Sequence, residues 1–286
     1  MSETDLQPDA AAPASGAPRP QDVPVVQEPA RLGPLQRLVG VLFSPGETFE
    51  DVNRRPTWLA PLLIVTLIGF AASVFFEWRA KPNWESFFRT QITKSVEKSG
   101  GSMTPEQIDQ QVAMQTKFAK TDLTSPLSVA LSVVKILVYT LFTCLIPAGI
   151  YALGLMLMQA QTTFKKILSV VAWSTAGTGL VGALVFVGAL MVRDQESFRD
   201  IKPTEIASLV PTNLGIVLPQ DMSPFLSSLI GSIDIFTIWL IVLLVIGFVA
   251  ISGKRRMTNG RAATLIISLW VVWALIKAGL AGVFRT

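Results

Sequence analysis

The chain alternates between long apolar runs and polar stretches, and five of the apolar runs dominate the pattern. A helix needs about 20 predominantly apolar residues to cross the hydrocarbon core of a bilayer. A soluble protein of this length would instead interleave apolar and polar residues at helical or strand spacing. The pattern therefore predicts an all-α, polytopic membrane protein. Its five transmembrane helices are expected at about residues 58–77, 130–158, 167–192, 232–251 and 262–284.

The second apolar run is longer than one bilayer crossing requires. It extends over about residues 127–159, so a single helix here would have to tilt or to continue outside the membrane. Pro147 lies within the run and predicts a kink. A re-entrant pair of short helices is the alternative, although no polar turn divides the run.

The N-terminal part of the chain divides into a tail and two short helices. Residues 1–33 are rich in proline and alanine, poor in large apolar side chains, and are expected to be a disordered cytoplasmic tail; the membrane domain is expected over residues 34–286. After the tail, apolar residues recur at helical spacing. They are Leu35, Leu38, Val39, Leu42 and Phe43.

A second short helix is indicated by Ser44-Pro45-Gly46-Glu47. Ser44 suits an N-cap, Pro45 suits the first helical position, and Glu47 can complete a capping box, while Phe49 lines the helix that follows. We expect both amphipathic helices to lie along the membrane interface. Packing against the protein's own loops is the alternative.

The polar residues 80–122 predict a helical hairpin outside the bilayer. A stripe at helical spacing precedes Gly100-Gly101, and Thr104-Pro105 resembles the start of a second helix. The stripe consists of Trp84, Phe87, Phe88, Ile92 and Val96.

The distribution of basic residues predicts the orientation. The short connections between spans two and three and between spans four and five are dense in lysine and arginine, which favours the cytoplasmic side. These residues are Lys165, Lys166, Lys254, Arg255, Arg256 and Arg261. Arg54 and Arg55 place the N-terminus on that side as well. We therefore expect a protein of the cytoplasmic (inner) membrane with its N-terminus inside and its C-terminus outside.

The amino-acid composition excludes several kinds of catalytic and metal-binding site. Only 15% of the residues are charged, against roughly 25% in soluble domains. There is no histidine and the one cysteine is Cys144, which excludes intrachain disulfides, histidine-based catalysis and intrachain His/Cys metal sites. No cofactor motif or nucleic-acid-binding pattern is present. Carboxylate chemistry in the outer loops, for example at Glu85 or Asp109, is a remote alternative to a non-enzymatic protein.

Three charged residues lie within the apolar runs: Lys135, Asp234 and Lys277. Charges in such positions are costly and suggest a function by default. In the predicted topology each lies roughly 5–15 Å below the outer boundary, so the three could meet in one layer. We favour a buried pair that fixes helix register, with the second lysine extended outward, over a polar pocket or translocation path.

Small residues repeat every four positions in two spans, which lets helices approach closely. They are Ser174, Thr178 and Gly182 in the third span, and Ala274, Ala278 and Gly282 in the fifth. We expect these faces to pack within the chain, with contacts between copies as the alternative.

The chain resembles the bacterial Yip-domain proteins. The resemblance is carried by Val41-Leu42-Phe43-Ser44-Pro45-Gly46-Glu47-Thr48-Phe49-Glu50-Asp51-Val52, by Arg54-Arg55-Pro56-Thr57-Trp58 and Pro61, by Ser232-Ile233-Asp234-Ile235-Phe236-Thr237-Ile238-Trp239, and by Lys254, Gly260, Ala262 and Lys277. It implies a five-span fold. Eukaryotic members interact with Rab/Ypt GTPases, but their Asp-Leu-Tyr-Gly-Pro motif is replaced here by Leu42-Phe43-Ser44-Pro45. A GTPase partner is therefore not supported.

The leading hypothesis is a non-enzymatic membrane protein that acts through the lipid bilayer, other membrane proteins or a second copy of itself. Residues 34–55 and the hairpin 80–122 would supply its contact surfaces. The rival hypothesis is a transporter-like protein, or a subunit of a transporter, that uses the Lys135/Asp234/Lys277 layer.

Overall fold

A computed structural model describes residues 32–194, 198, 212, 214, 222–253 and 257–284, and the elements of these ranges are helical. In chain order they are α1 (Pro34–Phe43), α2 (Pro45–Arg54), α3 (Leu59–Ala80), α4 (Trp84–Ser99), α5 (Pro105–Ala119), α6 (Pro126–Leu157), α7 (Phe164–Val192), α8 (Pro224–Ile230), α9 (Ile235–Ser252) and α10 (Asn259–Phe284). Of the tail predicted at residues 1–33, residues 1–31 lie outside the described ranges.

Five of these helices are long and apolar enough to cross a membrane: α3, α6, α7, α9 and α10. They coincide with the five apolar runs, so the predicted fold class is confirmed. The hairpin predicted for residues 80–122 is also present, because α4 and α5 pack against each other.

Side-chain caps and prolines define where several helices begin. The Asn83 side chain accepts a hydrogen bond from the Ser86 N–H at 3.1 Å, and Thr104 forms a capping box with Gln107. Proline occupies the first position of α5, α6 and α8, where its missing N–H costs nothing. Gly100 ends α4 with a φ of 63°, in the left-handed region that favours glycine.

The second apolar run forms one continuous helix, so the re-entrant alternative is wrong. Helix α6 has 32 residues, including Pro147 in its interior. At ~1.5 Å per residue it is roughly 48 Å long, whereas the hydrocarbon core is about 30 Å thick. Helix α6 must therefore tilt strongly or extend beyond the hydrocarbon. The kink expected at Pro147 stays a prediction.

Helix α7 is the centre of the bundle. It packs against α1, α2, α3, α6 and α9. The half of α7 from Ile167 to Thr178 is almost entirely buried, and Trp173 within it has no exposed surface. Many large apolar side chains of α6 and α10 are exposed, which suits helices whose outer surface faces lipid.

Close helix contacts in this core depend on particular glycines. A Cβ on Gly247 of α9 would collide with the Val170 side chain of α7 and would lie 3.4 Å from Cδ1 of Phe49 in α2. A Cβ on Gly177 would lie 2.8 Å from Cγ1 of Val41 in α1. By contrast, a Cβ on Gly179 has nothing within 4 Å. The first two glycines therefore let α1 and α2 sit directly against the spans.

We predict that Gly247→Ala destabilises the protein, because the added methyl group overpacks the contact of α9 with α7 and α2. Overpacking typically costs about 1–3 kcal/mol, which corresponds to a fall in melting temperature of about 2–10 °C. The measurement is tryptophan fluorescence during heating of the purified protein in detergent. Gly179→Ala is the matched control and should melt at or slightly above the wild-type temperature. Equal melting temperatures for the two variants would contradict the packing described here.

Candidate functional site

The most distinctive local structure is the N-terminal helix pair, defined as α1 and α2. Helix α1 packs against α7, and α2 packs against α9 and α7. Val41 in α1 and Phe49 and Val52 in α2 have no exposed surface. The helix pair is therefore part of the folded core and covers one end of the bundle.

A buried ion pair joins the two helices. The Nε and Nη2 atoms of Arg37 lie 2.8 and 2.7 Å from Oδ2 of Asp51, and the two side chains are only 4% and 7% exposed. Nη1 of Arg37 donates to Oγ1 of Thr57 at 2.6 Å and to the carbonyl oxygen of Arg55 at 3.2 Å. One guanidinium thus ties α1, α2 and the segment leading into α3 together.

The surroundings of this ion pair fix its position in the bundle. The guanidinium carbon of Arg37 lies 6.0 Å from the centre of the Trp173 ring, within the range of a cation–π contact. Nearby, Nζ of Lys166 donates to Oδ1 of Asn53 at 2.6 Å, which links the start of α7 to the end of α2. A cation–π contact and a hydrogen bond therefore both attach the helix pair to α7.

The turn between α1 and α2 differs from its prediction. Ser44 and Pro45 occupy the expected cap and first positions of α2, but the Ser44 side chain makes no capping bond and no capping box with Glu47 forms. The reason is that Ser44 also ends α1, where its N–H donates to the carbonyl oxygen of Gly40 at 2.7 Å. The carbonyl of Ser44 instead accepts a hydrogen bond from the Thr48 hydroxyl at 3.0 Å.

The Phe49 side chain is fully buried against the protein's own helices and does not face lipid, while the interfacial position expected for the helix pair stays a prediction. The apolar residues predicted to form one face of α1 are divided between the core and the exposed surface. Leu38 and Val41 point into the core, whereas Leu35, Val39 and Phe43 are 73%, 54% and 82% exposed. These last three form the exposed stripe, which borders a groove of about 460 Å³ that includes Gly40, Glu47 and Thr48.

The α4–α5 hairpin forms a second, polar surface. Nη1 of Arg89 lies 2.7 Å from Oδ1 of Asp109 and Nη2 lies 3.5 Å from Oε1 of Glu85, so one guanidinium bridges both carboxylates. The hydrogen bond to Asp109 holds the pKa of Arg89 above its usual value. The hairpin is joined to α3 by Trp84, whose Nε1 donates to Oε1 of Glu77 at 3.0 Å.

The three intramembrane charges have separate hydrogen-bond partners. Nζ of Lys135 donates to the carbonyl oxygen of Phe118, near the end of α5, at 2.6 Å. Asp234 is the N-cap of α9 and accepts from the Phe236 N–H at 2.9 Å, while Nζ of Lys277 donates to Oγ of Ser232 at 3.3 Å. Among the ion pairs of the described residues, none joins Asp234 to either lysine.

Glu77, at the end of α3, interacts electrostatically with Lys120 and Lys135. Its position at the end of the first predicted span, which faces the same side as the start of the second, was the available signal. The Arg37–Asp51 pair was also missed. An available signal was the occurrence of opposite charges on two short helices joined by a single-residue turn.

The small residues of α10 pack within the chain. Ala274 and Ala278 are buried, and a Cβ on Gly282 would lie 3.7 Å from Cβ of Phe225 in α8. In α7, Ser174 and Thr178 are buried, whereas a Cβ on Gly182 has nothing within 4 Å.

We predict that Arg37→Met strongly destabilises the protein, because it removes the guanidinium that bonds the buried Asp51 carboxylate to α1. Breaking a buried ion pair on one side typically costs about 3–5 kcal/mol, whereas replacing both partners by apolar groups is often nearly neutral. Arg37→Met/Asp51→Leu should therefore recover most of the lost melting temperature. Limited proteolysis of the N-terminal helix pair provides a second readout, since cleavage within it should increase only in the single variant.

Lys94→Met removes an exposed lysine of α4 and serves as the control for loss of one positive charge. It should melt like the wild type. A double variant no more stable than Arg37→Met would contradict the proposed energetics of the pair.

Comparison with known proteins agrees with this architecture. The Yip1 domain model matches residues 39–280, from the N-terminal helix pair through most of α10. The chain is 26% identical over 241 residues to the membrane protein YknW of Bacillus subtilis (strain 168), an alignment that covers 84% of this chain and 89% of the relative. No solved structure gives a significant match. The chain therefore belongs to the Yip1-domain family of membrane proteins.

Proposed function

We propose that the protein has no catalytic role and recruits or organises other membrane-associated proteins, with the exposed stripe of α1 as its main contact surface. The observation that carries this proposal is the contrast between the two sides of α1. One side is fixed in the core through Arg37, Leu38 and Val41, and the other exposes three large apolar side chains in line.

The buried side makes the exposed stripe a rigid surface. A preorganised helix loses little conformational freedom on binding, so more of the contact energy appears as affinity. Leu35, Val39 and Phe43 recur at every fourth position, and the adjacent groove could receive an apolar helix face of a partner. Glu47 at the groove adds one negative charge that favours a partner with a basic residue beside its apolar face.

The basic connections support a cytoplasmic location for this surface. Lys165 and Lys166 precede the buried half of α7, and Lys166 is bonded to Asn53 of α2. The helix pair and this basic connection therefore lie at the same end of the bundle, which the positive-inside rule favours as the cytoplasmic end. In this orientation the α4–α5 hairpin lies outside and supplies a second, polar contact surface.

The transporter hypothesis gains no support from the three intramembrane charges. Each has a different hydrogen-bond partner. None of the three lines the groove beside α1 or the groove of about 690 Å³ at the hairpin, whose lining includes Arg89 and Asp109.

The proposal predicts that photoreactive side chains at Val39 and Phe43 capture a discrete protein partner in native membranes. Both side chains are exposed on the stripe, where a bound partner would cover them. Gly46 is the matched control position, because it is exposed on α2, does not line the groove, and has nothing within 4 Å of an added Cβ. Mass spectrometry of the crosslinked bands identifies the captured species.

A second measurement tests the strength of this contact. Val39→Asp/Phe43→Asp should reduce the recovered partner at least about tenfold, because apolar side chains at the centre of an interface carry most of its energy. Gly46→Asp should leave recovery unchanged. Only lipid adducts at Val39 and Phe43, or the same bands from Gly46, would overturn the proposed role.

A further inference from the structure

An apolar groove runs between α6 and α10 on the surface that faces the bilayer. It has a volume of about 450 Å³ and is lined by side chains of α6 from Tyr139 to Tyr151 and by Leu269, Trp270 and Trp273 of α10. Tyr139 and Trp273 are 71% and 62% exposed, so the groove opens laterally.

Two lysines continue the faces that line this groove. Lys135 precedes Tyr139 by four residues and Phe142 by seven, and Lys277 follows Trp273 by four and Trp270 by seven. Residues separated by four and seven positions share one face of a helix. Helices α6 and α10 run in opposite directions across the bundle, so both lysines lie beyond the same end of the groove, the end nearer the hairpin.

Both lysine side chains are exposed and retain donor capacity. An ammonium group has three donors, and the described bonds use one on each lysine: Phe118 O for Lys135 and Ser232 Oγ for Lys277. Glu77 interacts electrostatically with Lys135, whereas no ion pair among the described residues joins Lys277 to Asp234, which caps α9. Lys277 is therefore the less compensated of the two cations.

We propose that this groove binds one acyl chain of an anionic glycerophospholipid, with Lys277 and Lys135 holding its phosphate group. The charges at the groove end complement an anionic headgroup, and ammonium groups are common ligands of phosphate. The length of the groove also matches that of an acyl chain in one leaflet. From Tyr139 to Tyr151 the groove extends roughly 18 Å at ~1.5 Å per residue, against about 15 Å for half of a ~30 Å hydrocarbon core.

The lining favours a lipid chain over a second transmembrane helix. Helices associate in membranes through small residues that let backbones approach closely. The small residues Ala274 and Ala278 of α10 are already buried within the chain, and the residues of α10 that line the groove are Leu269, Trp270 and Trp273. These large side chains keep another helix backbone distant but leave room for a flexible acyl chain.

Native mass spectrometry of the full-length protein in detergent tests the proposal. The protein is titrated with phosphatidylglycerol or with phosphatidylcholine carrying identical acyl chains. We expect phosphatidylglycerol to bind about tenfold more tightly, since each lysine near an anionic headgroup contributes a substantial electrostatic attraction. Lys135→Gln/Lys277→Gln should reduce this preference to less than about threefold, and Lys277→Gln alone should have a larger effect than Lys135→Gln.

Lys94→Gln/Lys98→Gln is the matched control, because both residues are exposed on α4 and the change in net charge is the same. It should retain the full preference. Ile146→Trp, which fills the groove from an exposed lining position, should weaken both lipids, whereas Val134→Trp, exposed on α6 outside the groove, should weaken neither.

Equal binding of both lipids by the wild type would mean that only non-selective surface lipid is present and would overturn the proposal. A preference that survives in Lys135→Gln/Lys277→Gln would overturn it as well. So would unaltered binding in Ile146→Trp. Free inorganic phosphate should not compete at millimolar concentration, because it lacks the acyl chain; effective competition would assign the lysines to a soluble anion instead.

Discussion

The buried ion pair of Arg37 and Asp51 determines what the N-terminal helix pair can be. Without it, the apolar packing of Val41, Phe49 and Val52 would remain, but the bonds that orient α1 relative to α2 would be lost. With it, one guanidinium reaches the second helix and the segment leading into α3, and it lies against Trp173 of the central span. A charge pair in such a place contributes geometry more than net stability, because desolvation offsets most of its attraction. The same placement leaves Leu35, Val39 and Phe43 exposed on the outer side of α1.

The two proposed contact surfaces follow from the division of the bundle into ends. At the end covered by α1 and α2, the core is sealed by Val41, Phe49 and Val52, and the exposed stripe faces away from it. At the other end, the hairpin docks through Trp84 on Glu77, and two lysines lie beyond the lateral groove. A protein partner at one end and an anionic lipid at the other would make the bundle a rigid link between a peripheral protein and the lipid composition of the membrane.

The sequence predicted the spans well, because long apolar runs have few alternatives in a bilayer and backbone groups must be satisfied within a helix. It also predicted the hairpin, whose Asn83 and Thr104 caps and Gly100 end are local signals. Contacts between particular pairs of residues were harder to predict from the sequence. The Asp234 carboxylate was expected to meet a lysine, but it caps its own helix. Periodicity cannot show which neighbour covers the apolar face of a helix, and Phe49 of α2 packs beside Gly247 of α9. Arg37 and Asp51 lie 14 positions apart on separate helices, beyond the reach of any helical spacing rule.

Helix α1 is docked on α7, and an engineered disulfide tests this docking most directly. A Cβ on Gly177 would lie 3.6 Å from Cβ of Val41, within the spacing of natural disulfides. Val41→Cys/Gly177→Cys, with a protease site inserted between Gly100 and Gly101, should give two fragments that remain linked without reductant after mild oxidation in native membranes. Val39→Cys/Gly177→Cys places the first cysteine on the exposed side of α1, so its two fragments should separate. The single-cysteine variants control for pairing with Cys144. Absence of the first crosslink, or equal yields from the two pairs, would contradict the docked arrangement.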